Sequence, residues 1–230
     1  MTELFETSVF FGVVISLLGY EIGLFLKRKL KKALFNPLLI AILFVMAFLK
    51  IFHVDYQIYN EGAKPISYLL TPATVCLAIP LYRQLELLKS HKKAILFGIT
   101  AGVLASLLSV LGLSVLFGLT HEQYVTLLPK SITTAIGMGV SEEAGGMVTI
   151  TVAVIIITGV FGNMTAEFIC KLFRIEEPIA KGIAIGSSAH AVGTAKAMEI
   201  GEIEGAMSSL SIVVSGLMTV IGASVFAGFY

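Results

Sequence analysis

Apolar residues run along this chain in long unbroken stretches, without the period-2 alternation of a half-buried strand. Clear stretches lie at residues 5–26, 37–52, 66–82 and 94–118, and two more follow at 147–170 and 205–229. A membrane-crossing helix needs about 20 mostly apolar residues, so each stretch predicts a crossing helix. Two segments break the pattern. "YVTLLPKSITTAIGMGVSEEAGG" at 124–146 and "GIAIGSSAHAVGTAKAM" at 182–198 are small, polar and punctuated by glycine.

The charges between the stretches set the orientation. "KRKLKK" (Lys27 to Lys32) and "RQLELLKSHKK" (Arg83 to Lys93) are basic, whereas the loops at 53–65 and 119–123 hold only Lys64 between them. Short basic loops stay on the cytoplasmic side. The N-terminus is then outside, both basic runs are inside, and His121 and Glu122 are outside. "RIEEPIAKG", which contains Arg174 and Lys181 and is flanked by Lys171, is inside again. The chain is outside at 123 and inside at 174, so an odd number of crossings separates them. The economical topology lets 124–146 dip in from outside and return, while 147–170 crosses. By the same logic 182–198 dips in from the cytoplasm and 205–229 crosses outward. The expected fold class is an all-α, polytopic helical bundle of about six spanning helices plus two re-entrant or broken segments. Full crossing by both segments is the competing topology.

Composition agrees: of 230 residues, 57% are hydrophobic and 13% charged, against about 45–50% and 25% in soluble domains. One integral membrane domain over 1–230, in a multi-pass plasma-membrane protein, is the expected organisation. The first stretch is too long for a signal-peptide core and follows Glu3 and Glu6 instead of a basic region, so it reads as a retained helix. Cys76 and Cys170 have no metal or disulfide spacing. A net charge of +1 says nothing about partners, but without an extended basic face or a tryptophan platform nucleic-acid binding has no support. No phosphate-binding loop, paired metal ligands or nucleophile elbow occurs, so no enzyme activity, cofactor or metal is expected.

A weak internal repeat links the two polar segments. Shifting the chain by 60 residues lays Thr134 on Thr194, Ala135 on Ala195, Glu142 on Glu202, Gly145 on Gly205 and Met147 on Met207. After the N-terminal helices at 1–123, the spans 124–173 and 184–230 are therefore candidate inverted-repeat units. In secondary transporters with such repeats, interrupted segments in matching positions carry the binding site.

Taken as a helix at 100° per residue, 182–198 places Gly182, Gly186, Ala189, Gly193 and Ala197 on one stripe, suited to close helix packing. Ser187, His190, Ala191 and Thr194 fall on the adjacent stripe, beside Ser188. If the segment is broken instead, its freed backbone must line a cavity, and amides with hydroxyls suit a carboxylate. His190 is either a structural donor or a proton carrier, its ordinary pKa near 6.5 suiting the second role. Lys196 and Glu199 are a local ion pair, or Lys196 is a positive charge for an anion. In the earlier segment Lys130, Ser131, Thr133 and Thr134 follow Pro129, whose place at a helix start leaves first-turn amides free. Lys130 otherwise snorkels to the outer interface. Glu142 and Glu143 cap a half-helix, take up a proton or cation, or sit in water.

"LPKSITTAIGMGVSEEAGG" and "FRIEEPIAKGIAIGSSAHAVGTAKAMEIGEIEGAMSSLSI", with their Lys-Ser-x-Thr-Thr and Ser-x-His-Ala-x-Gly-Thr-Ala motifs, closely resemble the LrgB/CidB family of integral membrane proteins. The resemblance covers essentially the whole chain and is strongest from about Leu128 to Ile212. Ala135 departs from it, because many relatives carry proline there. It implies two functions: an antiholin-like or holin-like modulator of murein hydrolase activity and autolysis, or a transporter. Plastid relatives move glycolate and glycerate, and bacterial pairs are associated with pyruvate. The expectation is a carrier of small monocarboxylates, coupled to a proton or cation, acting with a small LrgA/CidA-type membrane partner and as a homo-oligomer, a dimer. Ser131, Thr133, Thr134, Ser187, Ser188 and Thr194 would hold the carboxylate, with Lys130 or Lys196 supplying charge. His190, Glu142, Glu143 or Glu199 would handle the coupling ion.

Overall fold

Within a bilayer a helix satisfies its own backbone groups, and every regular element among the described residues is helical. The computed structural model describes residues 10–30 and 35–230. Residues 5–9 of the first apolar stretch, and Lys31 and Lys32 of the first basic run, lie outside the described residues. The chain divides into two units, Met1–Cys76 and Leu77–Tyr230.

The first unit contains α1 (Phe11–Leu30), α2 (Pro37–Ile51), α3 (Tyr56–Tyr68) and α4 (Leu70–Cys76). Asn36 caps α2, its Oδ1 accepting from the Leu38 and Leu39 amides at 2.9 and 3.3 Å, and Pro37 takes the first helical position, where no amide is needed. The stretch 53–65 is not the expected loop. Asp55 accepts from the Gln57 amide at 2.7 Å and starts α3, which occupies most of it. Phe11 and Ile15 of α1 bury against Phe44 and Phe48 of α2. Gly12 and Gly62 lie backbone to backbone where α1 meets α3, with no room for a Cβ on either.

The second unit contains α5 (Ala78–Arg83), α6 (Leu85–Ser90), α7 (Lys92–Phe117), α8 (His121–Leu127), α9 (Thr134–Glu143), α10 (Val148–Leu172), α11 (Pro178–Ile200) and α12 (Glu202–Phe226). By length and composition, Tyr56–Arg83, Lys92–Phe117, Val148–Leu172 and Glu202–Phe229 are each able to cross a membrane, whereas Pro37–Ile51 is apolar but shorter. The expected stretch 66–82 is divided among α3, α4 and α5. Pro72 and Pro80 each fall in the first turn of a short helix, where proline is tolerated. Ile95, Ile99, Val103 and Leu107 form the inward stripe of α7 and pack with Tyr124, Leu128, Ile183, Ala206 and Met207.

Both polar segments are helical hairpins. In the first, α8 and α9 hold 7 and 10 residues, about 10 and 15 Å at 1.5 Å per residue, too short to cross. Its two ends meet. Thr126 Oγ1 accepts from the Met147 amide at 2.8 Å, and Thr151 Oγ1 donates to Thr126 O at 3.0 Å and to Ser141 Oγ at 2.7 Å.

The second hairpin is α11 itself. His190 is its one residue with non-helical backbone, φ 43° and ψ −141°, and there the chain turns back. Gly186 and Thr194 both reach Ser208, although eight residues of straight helix would hold them about 12 Å apart. A Cβ on Gly193 would lie 3.0 Å from Ile185 Cγ2, one arm against the other. Lys181 and Glu199, near the two ends of α11, line one cavity. The continuous stripe expected for Ser187, His190, Ala191 and Thr194 does not exist, because the reversal puts Ser187 and Thr194 on different arms.

Candidate functional site

The tip of the first hairpin carries a cation. Lys130 Nζ donates to Ser131 Oγ at 2.9 Å and to Ser106 Oγ at 3.1 Å, and Ser106 Oγ donates to Ser131 Oγ at 3.2 Å. Ser106 stands near the middle of α7, so the turn after Pro129 brings the ammonium to the mid-depth of that helix. Ser131 is buried and Lys130 half-buried. Among the described residues no carboxylate forms an ion pair with Lys130. Thr133 is the N-cap of α9, and its side chain makes no bond to the first turn. The free amides of that turn start at Thr134 and carry the positive end of the helix dipole.

The tip of the second hairpin is held by α10. His190 Nε2 donates to Ile155 O at 3.0 Å. Gly159 makes this approach possible, since a Cβ there would lie 2.6 Å from His190 Cε1. Asn163 Nδ2 donates to Val192 O at 2.7 Å, and Thr194 Oγ1 to His190 O at 3.0 Å. These side-chain bonds to backbone carbonyls tie the break to α10 and to the start of the returning arm. Thr194 also shares a 2.7 Å hydrogen bond with Ser208 Oγ of α12.

The remaining candidates are spread out. Ser187 and Ser188 donate to carbonyls of their own arm, Ile183 O at 2.7 Å and Ala184 O at 2.6 Å, and Ser187 packs against Gly102 of α7. Lys196 lies at the hairpin base, paired with Glu167 Oε1 at 2.6 Å and Glu199 Oε2 at 3.1 Å. Glu142 and Glu143 are exposed at the end of α9. The structure thus groups Lys130 with Ser131 and the start of α9, groups His190 with Thr194, and places Lys196 with Glu199.

Three contributors were not singled out in the sequence: Ser106, Ile155 and Ser208. Ser106 left a faint signal as a hydroxyl in an apolar run. Ile155 left none, because its contribution is a backbone carbonyl.

No solved structure matches this chain. Antiholin-like LrgB proteins of Bacillus cereus strains B4264 and AH187 are each 38% identical to it over 221 residues, covering 96% of both chains. The antiholin-like LrgB protein of Bacillus anthracis strain CDC 684 matches to the same extent. The model of the LrgB-like family aligns with residues 16–229, which takes in both hairpins and the helices that hold them. This multi-pass membrane chain belongs to the LrgB-like family.

Proposed function

We propose that the chain is a carrier of small monocarboxylates of the pyruvate, glycolate and glycerate type, with the anion received at the tip of the first hairpin. The observation behind this reading is the Lys130 ammonium, which sits at the mid-depth of α7 among hydroxyls, with no ion-pair partner among the described residues. A cation at membrane depth is costly without a counter-ion. A carboxylate supplies one, and the hydroxyls of Ser106, Ser131, Thr133 and Thr134 with the open start of α9 add donors to it. The bases of the two hairpins lie at opposite ends of α10, near Thr151 and near Glu167, which supports the inverted-repeat reading of 124–173 and 184–230. His190 then couples the tip to a proton, and the carrier works as a homodimer with a small LrgA/CidA-type partner.

The name of the Bacillus relatives, antiholin-like, favours a second reading, a modulator of murein hydrolase activity and autolysis. Uptake of labelled pyruvate, glycolate and glycerate into proteoliposomes, with and without the small partner, separates the two. Saturable uptake is expected for the carrier; dye leakage without saturable uptake of any of the three would leave the modulator reading standing.

A further inference from the structure

The base of the second hairpin encloses a cavity of about 480 Å³, bounded by the end of α10, the 174–176 turn and both ends of α11. Small-molecule sites typically span roughly 300–1,000 Å³. Three basic side chains line it, Lys171, Arg174 and Lys181, and none forms an ion pair among the described residues. Three acids line it as well: Glu167 and Glu199 share Lys196, and Glu176 forms no ion pair among the described residues. With Lys196 included, four cations face three carboxylates, so the charge around the cavity is mixed with a positive excess, and such an excess along a concave wall concentrates anions.

Arg174 adds an independent observation. The end of α10 closes with the Ile175 amide on Cys170 O at 2.8 Å, and Arg174 stands at the left-handed position of that closure, with φ 54°. Glycine takes this position without strain. An arginine there accepts the strain and brings a guanidinium, which grips planar oxyanions in two-pronged fashion.

We propose that this cavity is a binding vestibule for small oxyanions, a carboxylate or a phosphate group, held by Lys171, Arg174 and Lys181. Its purpose, delivery of the anion to the hairpin tips, rests on the carrier reading; the binding itself does not. The vestibule carries its own reporter in Cys170, which forms part of the wall. With Cys76, the other thiol, changed by Cys76→Ser, maleimide labelling reads Cys170 alone.

In phosphatidylcholine nanodiscs, sodium glycolate and inorganic phosphate should slow this labelling saturably, while chloride at equal ionic strength should not. An anion at ten times its Kd leaves about one site in ten open, so the rate should fall about tenfold. The same anions should raise the thermal midpoint of the detergent-purified protein. Arg174→Gly, which relaxes the backbone while deleting the charge, and Lys181→Gln should each abolish both effects. Labelling and midpoint that ignore both anions would overturn the vestibule, as would unchanged protection in both variants. Protection by phosphatidylglycerol alone, with nothing added by free anion, would also overturn it and make the cluster a lipid-headgroup contact. Protection without proteoliposome uptake sinks the carrier reading and leaves the vestibule; saturable uptake without protection does the reverse.

Discussion

His190 Nε2 donates to the carbonyl oxygen of Ile155 at 3.0 Å, across the space that Gly159 leaves empty. The same isoleucine turns its side chain into the slot left by Gly137 of α9. One fully buried residue of α10 thus touches both hairpins, its carbonyl serving one and its side chain the other.

His190 also occupies a backbone conformation, φ 43° and ψ −141°, that glycine adopts without strain. Two substitutions separate these roles. His190→Ala keeps the strain and removes one bond to the Ile155 carbonyl, which stays within the helical ladder of α10, a cost of about 0.5–1.5 kcal/mol. His190→Gly loses the same bond but relieves the turn, so its thermal midpoint in detergent should lie between those of wild type and His190→Ala. If the two variants melt alike, strain at position 190 is not stored. In uptake assays His190→Ala should flatten the pH profile, and an unchanged profile would remove the proton role.

The glycines of α10 and α7 give a matched pair. A Cβ at Gly159 would press on the His190 ring, and Gly159→Ala should cost about 1–3 kcal/mol as an overpacked contact. Gly112 of α7 has open space around it, so Gly112→Ala should be neutral or stabilising by up to about 1 kcal/mol. Thermal melts of both variants check this, with equal midpoints counting against the seat that Gly159 provides.

Lys130 has hydroxyl partners at 2.9 and 3.1 Å. Lys130→Met should abolish saturable carboxylate uptake while leaving the protein folded, because removing an unpaired charge from membrane depth is favourable. Ser106→Ala removes one of the two partners and should weaken apparent affinity by about tenfold, the worth of roughly 1.4 kcal/mol. Uptake unaffected by Lys130→Met would move the anion site away from the first hairpin.

Lys196 joins the returning arm to α10 through Glu167 and also pairs with Glu199 of its own arm, the two carboxylate side chains being about half exposed at 49% and 56%. Screening by solvent limits such a pair to roughly 0.2–1 kcal/mol. A double-mutant cycle of Lys196→Met and Glu167→Gln should return a coupling in that range, shrinking as salt rises. A larger coupling would mean the pair is closed off from water.

The hairpins predict accessibility. Cysteines placed at 181 and 199 should react with an impermeant thiol reagent from one side of the membrane, and a cysteine at 142 from the other. Opposite-sided labelling of 181 and 199 would mean that α11 crosses.

Much of the fold was legible because hydrophobic length alone decides where a helix can cross. The stretches 94–118 and 147–170 correspond to Lys92–Phe117 and Val148–Leu172 within two residues at each end. The loop expected at 53–65 failed for a local reason: Tyr56–Tyr68 is polar enough to read as a loop, but Asp55 caps it into a helix. The polar segments were visible as interruptions, and their hydroxyls and charges named most of the candidate groups. Their partners were not visible. Ser106 meets Lys130 from 24 residues away, and Ile155 meets His190 from 35.

By itself, then, the sequence determined that the chain is helical and membrane-embedded, where the helices run, and which residues are too polar for their surroundings. Those properties follow from composition over a window of one helix length. Tertiary structure decided that 182–198 turns back at His190, that Lys130 stands beside Ser106, and that Lys196 also pairs with Glu167 of α10. Each depends on a contact between helices, and such contacts are set by which small residue leaves room for which neighbour. Gly159 and the imidazole of His190 are the clearest case: one side chain is missing so that the other can reach a carbonyl.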